Sequence, residues 1–112
     1  MVRVYEIAQA SIGKIKNILD AEDKKDPKNP AKWIINEFKT QGYILRAGQA
    51  IGKSTEAHYL YIKADDEFFK RNEKALLDAG AKLLKGKESA EVQKKIEDLE
   101  NAAIEGLGGI FG

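Results

Sequence analysis

Two short segments with the composition of β-strands stand near the middle of the chain. Residues 43–46 and 58–63 are rich in the aromatic and aliphatic residues that favour strands. The loop 47–57 between them contains two glycines, which permit tight turns. The pattern predicts a β-hairpin. Residues 2–7 alternate loosely, and they are either a strand that pairs with this hairpin or the start of the first helix.

Helical periodicity indicates a helix near the N-terminus. Its apolar residues recur at spacings of 4, 3 and 4 and share one face: Ala8, Ile12, Ile15 and Leu19. Residues 21–30 then contain both prolines of the chain and dense mixed charge. We therefore expect an irregular connector there.

A second helix is predicted over residues 30–40. Asn29 is a suitable N-cap, Pro30 suits the first helical position, and Gly42 can end the helix. The residues of its predicted buried side are Ala31, Ile34, Ile35 and Phe38. Trp33, beside this stripe, is interpreted as a core anchor.

Two further helices are predicted after the hairpin. The first has Asp65 or Asp66 as its N-cap and runs to Gly86, with Gly80 marking a kink or a close contact. Its broad apolar face consists of Phe68, Phe69, Leu76, Leu77, Leu83 and Leu84. The last helix begins near Glu88. Its narrow apolar seam predicts packing against one partner helix, in the same chain or in a second copy. The seam residues are Val92, Ile96, Leu99 and Ala103.

Together these elements predict a small α+β domain, mostly helical, with one β-hairpin and two C-terminal helices. A length of 112 residues suits a single domain over 1–112. We expect an α+β body over residues 1–86. Residues 87–112 are expected to form the C-terminal helix and a glycine-rich apolar tail.

Composition excludes several kinds of chemistry. The chain has no cysteine, which rules out disulfides, thiolate zinc sites and thiol catalysis. Its high lysine and glutamate content is a tendency of thermophile proteins. No signal peptide or long apolar run is evident, so we expect a soluble cytoplasmic protein without a membrane partner.

Charge is unevenly distributed, although the net charge is only +1. Residues 39–63 have a net charge of +3 and residues 88–112 a net charge of −4. The charged residues of the first segment are Lys39, Arg46, Lys53 and Lys63 against Glu56. The predicted hairpin is therefore the basic pole of the chain, and the C-terminal segment is its acidic pole.

The loop of the hairpin also fits the loose nucleotide-binding pattern A/G-x4-G-K-S/T, which begins here at Ala47. In that interpretation Lys53 is the phosphate ligand and Ser54 the metal ligand. Residues that favour strands follow Ser54, whereas a phosphate loop leads into a helix. Nucleotide binding is thus less favoured than an ordinary solvated hairpin loop.

A third interpretation concerns the order helix, strand, basic loop, strand and helix over residues 30–64. This order resembles the second half of a winged-helix domain, in which the helix before the hairpin enters the major groove. The resemblance implies helix contacts to DNA from Lys32, Asn36, Lys39 and Gln41. It implies phosphate contacts from Arg46, Lys53 and Lys63.

Two features of the second strand have both ordinary and functional explanations. Tyr59 and Tyr61 share one strand face, where exposed rings can stack on bases, but cross-strand packing under a helix is favoured. His58 is the only histidine of the chain and is interpreted as a structural residue rather than a metal ligand.

No combination of nucleophile, base and oxyanion donor is evident, so we expect a protein that is not an enzyme and has no cofactor or metal. The first hypothesis is a binding or regulatory module that contacts nucleic acid through residues 30–63. The alternative is a protein-interaction or homodimeric assembly module. It would use the last helix and the tail residues Leu107, Ile110 and Phe111.

Overall fold

The computed structural model describes residues 1–53 and 56–111, with side chains described as far as residue 103. In chain order the regular elements are β1 (Val2–Ile7), α1 (Ile12–Asp20), β2 (Lys24–Asp26), β3 (Asn29–Ile34), α2 (Glu37–Gln41), β4 (Ile44–Ala47), β5 (His58–Lys63), α3 (Asp66–Asp78), β6 (Lys82–Leu83) and α4 (Gly86–Phe111). They confirm the α+β class that the sequence predicts.

A four-stranded antiparallel sheet in the order β4-β5-β1-β6 forms the centre of the protein. β4 and β5 make the predicted hairpin, in which Ile44 lies opposite Tyr61. β1 pairs with the other edge of β5, so residues 2–7 are a strand. Because β1 and β4 are both antiparallel to β5, they are parallel to each other. With α1 and α3, the sheet has the split βαβ, or ferredoxin-like, topology.

Helices cover both faces of this sheet. On one face, α1, α2 and α3 pack against a core that includes Tyr5, Ile7, Leu60, Ile62, Phe68 and Phe69. On the other face, Val92 and Ile96 of α4 are fully buried. They pack in one cluster with Val4, Tyr59 and Tyr61. β5 therefore contributes buried side chains to both faces, which explains its nearly continuous run of apolar and aromatic residues.

The helix predicted over residues 30–40 is wrong. Most of this segment is β3, which pairs with β2 in a separate antiparallel hairpin. Helix α2 begins only after Asn36, whose side chain caps it. Phe38 is buried as predicted, but Trp33 is 53% exposed and is not a core anchor. Apolar residues that fit a helical stripe here lie on an exposed ribbon instead.

The irregular connector predicted over residues 21–30 is also wrong, because β2 and the start of β3 lie within it. Asp26 and Pro27 occupy the first two positions of the turn between these strands, where both residue types are preferred. Pro30 cannot donate a ladder hydrogen bond, and it is tolerated near the start of an exposed two-stranded ribbon.

Helix α3 begins as predicted and ends earlier than predicted. Asp65 Oδ1 accepts a hydrogen bond from the Phe68 N–H at 2.9 Å. The helix ends at Asp78 rather than at Gly86, and Leu83 belongs to β6. The close contact expected at Gly80 is confirmed. Gly80 has φ +107°, and a Cβ there would lie 2.4 Å from Ser11 Oγ.

The prediction that the seam of the last helix packs against a partner helix of the same chain is wrong, whereas packing against a second copy stays a prediction. Its buried seam residues, Val92 and Ile96, pack against the second face of the sheet. That face presents large rings and aliphatic side chains, a wider apolar surface than a single helix offers. Further along, Leu99 is 37% exposed, and Ala103 is exposed as well.

The contact at Gly80 predicts a clear difference between two glycine substitutions. Gly80→Ala should lower the free energy of unfolding by about 1–3 kcal/mol, because it places a Cβ at a positive φ and against Ser11. Gly13→Ala is the matched control, because a Cβ there meets nothing within 4 Å. It should stabilise α1 by up to about 1 kcal/mol. Urea unfolding followed by circular dichroism measures both, and equal effects would contradict the close contact.

Candidate functional site

Two cations of the β4–β5 hairpin are held by the acidic helix α4. Arg46 donates a hydrogen bond to Glu100 through its guanidinium group. Lys53 Nζ lies 3.9 Å from Glu91 Oε1 and 5.6 Å from the centre of the Tyr59 ring. The basic and acidic poles of the sequence therefore face each other within one molecule. Both cations already have a carboxylate partner on α4.

The other two basic residues of the predicted pole lie outside this contact. Lys39 Nζ lies 3.2 Å from Glu22 Oε1. Lys63 is exposed, and the structure shows no ion pair for it with any residue whose side chain is described. The backbone carbonyl of Lys63 accepts a hydrogen bond from Gln41 at 2.8 Å, which ties α2 to the end of β5.

Asn36 is a structural anchor in this fold. Its side-chain NH2 donates to the carbonyl oxygens of Leu19 at 3.0 Å and Ala21 at 2.7 Å. Its Oδ1 accepts from the Phe38 N–H at 3.0 Å. The backbone N–H of Asn36 donates to Asp23 Oδ1 at 2.7 Å. These bonds use the hydrogen-bonding capacity of the amide and fix the base of the β2–β3 hairpin to the end of α1.

Tyr59 and Tyr61 lie beneath α4, which confirms their interpretation as packing residues. They are only 1% and 9% exposed. The Tyr61 hydroxyl donates to Glu97 at 2.7 Å, and the Tyr59 hydroxyl donates to Glu6 at 3.0 Å. With α4 in place, neither ring is accessible to a base.

The nucleotide-binding pattern lies in the loop of a hairpin, and strand β5 follows it rather than a helix. Ser54 lies outside the described residues, and Lys53 already contacts α4. His58 is half-buried, and its Nδ1 has no hydrogen-bond partner in the described parts of the chain. Those same parts contain no cluster of three or more side chains able to hold a metal ion.

A cleft of about 390 Å³ lies between α2 and α3, with Ile35 and Phe68 in its lining. Arg71 Nε donates to both carboxylate oxygens of Glu37, at 2.9 and 3.1 Å. Hydrogen bonds from Asn72 and Arg71 lower the pKa of Glu37. The charged groups of this cleft are thus satisfied by each other, which makes it a weak candidate for a ligand site.

The β2–β3 hairpin, with the residue that follows it, presents a different basic surface. We call residues 24–35 the arm. Four lysines against Asp26 give it a net charge of +3: Lys24, Lys25, Lys28 and Lys32. All four are exposed, and none is seen in an ion pair with a side chain described by the structure. Asp26 Oδ1 instead accepts a hydrogen bond from the Lys28 N–H at 2.9 Å, which stabilises the turn.

Three consecutive apolar residues are exposed at the end of the arm nearest the body. Trp33, Ile34 and Ile35 are 53%, 43% and 52% exposed. Lys25 lies directly opposite Trp33 in the ribbon, and its Nζ is 5.9 Å from the centre of the indole. An exposed aromatic ring beside unpaired cations makes the arm the strongest candidate for a binding surface in the described structure.

Sequence reasoning missed this surface because it assigned its residues to a connector and a helix. Of the residues predicted to bind nucleic acid, Lys32 alone lies on the arm. The signal that indicates the arm is the sequence Asp26-Pro27-Lys28-Asn29, in which aspartate and then proline open a turn. Of the residues that follow it, Trp33 and Ile34 favour strands.

The residues predicted to bind a protein partner stay a prediction. The backbone of α4 continues as a helix to Phe111. The side chains of Leu107, Ile110 and Phe111 lie outside the described residues. The helix is therefore longer than the predicted one, and it includes the glycine-rich segment that the sequence predicts to be a tail.

Comparison of the chain with protein-family models, with curated proteins and with solved structures gives no match. Within the described residues, no helix is both long enough and apolar enough to cross a membrane. A fold of this kind supports many unrelated functions, so the functional argument depends on the arm itself.

The tyrosines predict a measurable pH dependence. Burial and nearby carboxylates raise the pKa of Tyr59 and of Tyr61 to about 12. Burial also raises the pKa of Tyr5 and of Tyr43. The ordinary tyrosine pKa is about 10. Because these hydroxyl groups hold their protons more tightly in the folded state than in the unfolded state, they contribute to the free energy of unfolding. This contribution is fully present below pH 10 and is lost as the pH rises towards 12.

We therefore expect tyrosinate absorbance to appear at higher pH in the folded protein than in urea, with the contribution of Tyr59 and Tyr61 near pH 12 rather than pH 10. The urea-unfolded protein is the control for the ordinary pKa. A folded-state titration centred near pH 10 would show that Tyr59 and Tyr61 are not buried under α4.

Proposed function

We propose that the protein is a small non-enzymatic module that binds nucleic acid through the arm. The observation that supports this most directly is that four exposed lysines, none paired with a described carboxylate, lie on the same ribbon as an exposed tryptophan. Ammonium groups that are free of intramolecular partners can neutralise phosphates without first breaking an ion pair.

The proposed partner is still nucleic acid, as inferred from the sequence, but the proposed interface lies on a different part of the chain. Lys32 belongs to both versions, and Lys63 stays available as an additional phosphate contact. Arg46 and Lys53 are assigned to α4, and Asn36 to the base of the arm, because their contacts already use these groups. The interface therefore lies on residues 24–35 rather than on the β4–β5 hairpin.

The arm lies at the surface of the protein. Every residue of the arm except Asp26 is exposed, so its surface can approach a partner without rearrangement of the core.

The lysines of the arm predict a salt-dependent affinity that two substitutions reduce. In Lys28→Gln with Lys32→Gln, affinity for nucleic acid should fall. The slope of log affinity against log salt concentration should become shallower by about 0.7–0.9 for each phosphate that the protein no longer neutralises. Fluorescence anisotropy of a labelled oligonucleotide over a salt series measures both quantities.

The matched control is Lys14→Gln with Lys16→Gln, which removes the same charge from exposed positions of α1. It should leave the salt slope close to that of the unchanged protein. Equal losses of affinity in the two double variants would show that binding reflects overall charge and would contradict an interface on the arm. Absence of binding at low salt would contradict the proposed function itself.

A second candidate function is self-assembly through α4, the alternative inferred from the sequence. A helix of 26 residues is about 39 Å long. Among its residues whose side chains are described, Val92 and Ile96 are fully buried, and both lie in its first half. From Leu99 to Ala103 most positions are exposed, so this part of the helix has apolar and small side chains available to a second copy.

Light scattering over a concentration series tests this candidate. If the C-terminal part of α4 forms a dimer, removal of residues 106–112 should convert the dimer to a monomer without loss of folding. The oligonucleotide affinity of the shortened protein separates the two functions, because the arm is unchanged. A monomer at all concentrations before and after removal would eliminate assembly as the function.

A further inference from the structure

We infer that the ligand of the arm is a single-stranded polynucleotide and that one of its bases stacks on the indole of Trp33. This inference rests on the proposed function, because it specifies the class of nucleic acid and the residue that contacts the base. Three features of the arm support it: the register of the ribbon, the exposure of Trp33 and the position of the lysines.

The register of the ribbon places an aromatic ring and a cation on the same face. Lys25 lies opposite Trp33, whereas Lys24 lies opposite Ile34 on the other face. Ala31 shares the face of Trp33 two residues earlier, and its small side chain leaves space along the strand beside the indole. Trp33 is 53% exposed, so a flat group can reach the ring beside the Lys25 ammonium, which lies over it at 5.9 Å from its centre.

The exposed indole is suited to contact through its face. It has a single hydrogen-bond donor and no acceptor, so it cannot read the edge of a base pair as a bidentate side chain does. Stacking on a base requires a base that is not already stacked within a duplex. Single strands offer such bases at every position, and aromatic side chains on a strand surface are a common platform for them.

The lysines are placed to contact the phosphates on either side of the stacked base. Lys25 is beside the indole at 5.9 Å from its centre, Lys28 is in the turn, and Lys32 is the residue before Trp33. The two faces of the ribbon both carry a lysine, so a flexible backbone can be held from two sides. A rigid duplex has fewer ways to reach all of these groups at once.

An anionic lipid surface also attracts lysines and tryptophan, so binding to a polynucleotide must be distinguished from binding to lipid. The arm favours a polynucleotide because Lys25 lies on the face of the exposed aromatic ring and the other three lysines lie on the same narrow ribbon. A helix with a continuous apolar face is the usual form of a membrane-surface element. An anionic vesicle is therefore included in the test as the competing ligand.

Trp33 is the only tryptophan of the chain, so its fluorescence reports on this contact alone. We expect fluorescence quenching on titration with single-stranded oligothymidylate or oligouridylate of about 12 nucleotides, with weaker binding and little quenching by a duplex of the same length. The DNA and RNA strands show whether the sugar matters. Titration with vesicles of phosphatidylserine and phosphatidylcholine should leave the spectrum unchanged.

Two substitutions test the stacking role. Trp33→Ala should weaken binding of the single strand by roughly 5- to 150-fold, the range expected for loss of one stacked base. Trp33→Phe should retain most of the affinity, because it retains an aromatic face. Ile35→Ala is the matched control, since it removes a side chain with similar exposure and should have little effect. None of these side chains is in the core, so circular dichroism should show unchanged folding.

The possible outcomes distinguish failure of the stacking inference from failure of the proposed function. Lysine-dependent binding that leaves the Trp33 spectrum unchanged, or that is as tight for duplex as for single strands, would overturn the stacking inference and leave the proposed function standing. A blue shift with anionic vesicles and no response to any polynucleotide would overturn both. Quenching by single strands that is lost in Trp33→Ala and kept in Trp33→Phe is the result we expect.

Discussion

The burial of strand β5 from both sides is the constraint on which the rest of the structure depends. Leu60 and Ile62 face the core formed with α1 and α3, while Tyr59 and Tyr61 face α4. A strand with large apolar side chains on both faces must be covered twice. Burying Val92 and Ile96 contributes about 1.5–3 kcal/mol each. The partly exposed ion pairs of α4 contribute roughly 0–1 kcal/mol each, so apolar packing holds the helix.

This double cover limits which parts of the sheet are exposed. The sheet face that carries two tyrosines is closed by α4, and the acidic side chains of that helix engage Arg46 and Lys53. Because the packing of α4 is mainly apolar, salt that weakens these ion pairs should not release the helix. Four exposed lysines that lack a described carboxylate partner lie on the arm, on the same ribbon as Trp33.

The hairpin, the strand at residues 2–7 and the cap at Asp65 could be predicted because their signals are local. The arm was missed because Ala31, Ile34, Ile35 and Phe38 also fit a helical stripe, and only the turn at Asp26 and Pro27 argues against it. The pairing of Arg46 with Glu100 could not be predicted, since 54 residues separate them and the contact depends on which face α4 covers. The β4–β5 hairpin was thus predictable from local patterns, the arm was missed because its local pattern is ambiguous, and the contacts of α4 depend on long-range packing.

The central claim is that the packed helices cover both faces of the sheet and pair the cations of its hairpin, and that the arm is the main surface that contacts the partner. The most direct measurement is the change in backbone amide chemical shifts of the isotope-labelled protein during titration with single-stranded oligothymidylate. The account predicts that the large changes fall within residues 24–35. Large changes centred on β4, β5 and α4, with the arm unaffected, would contradict it.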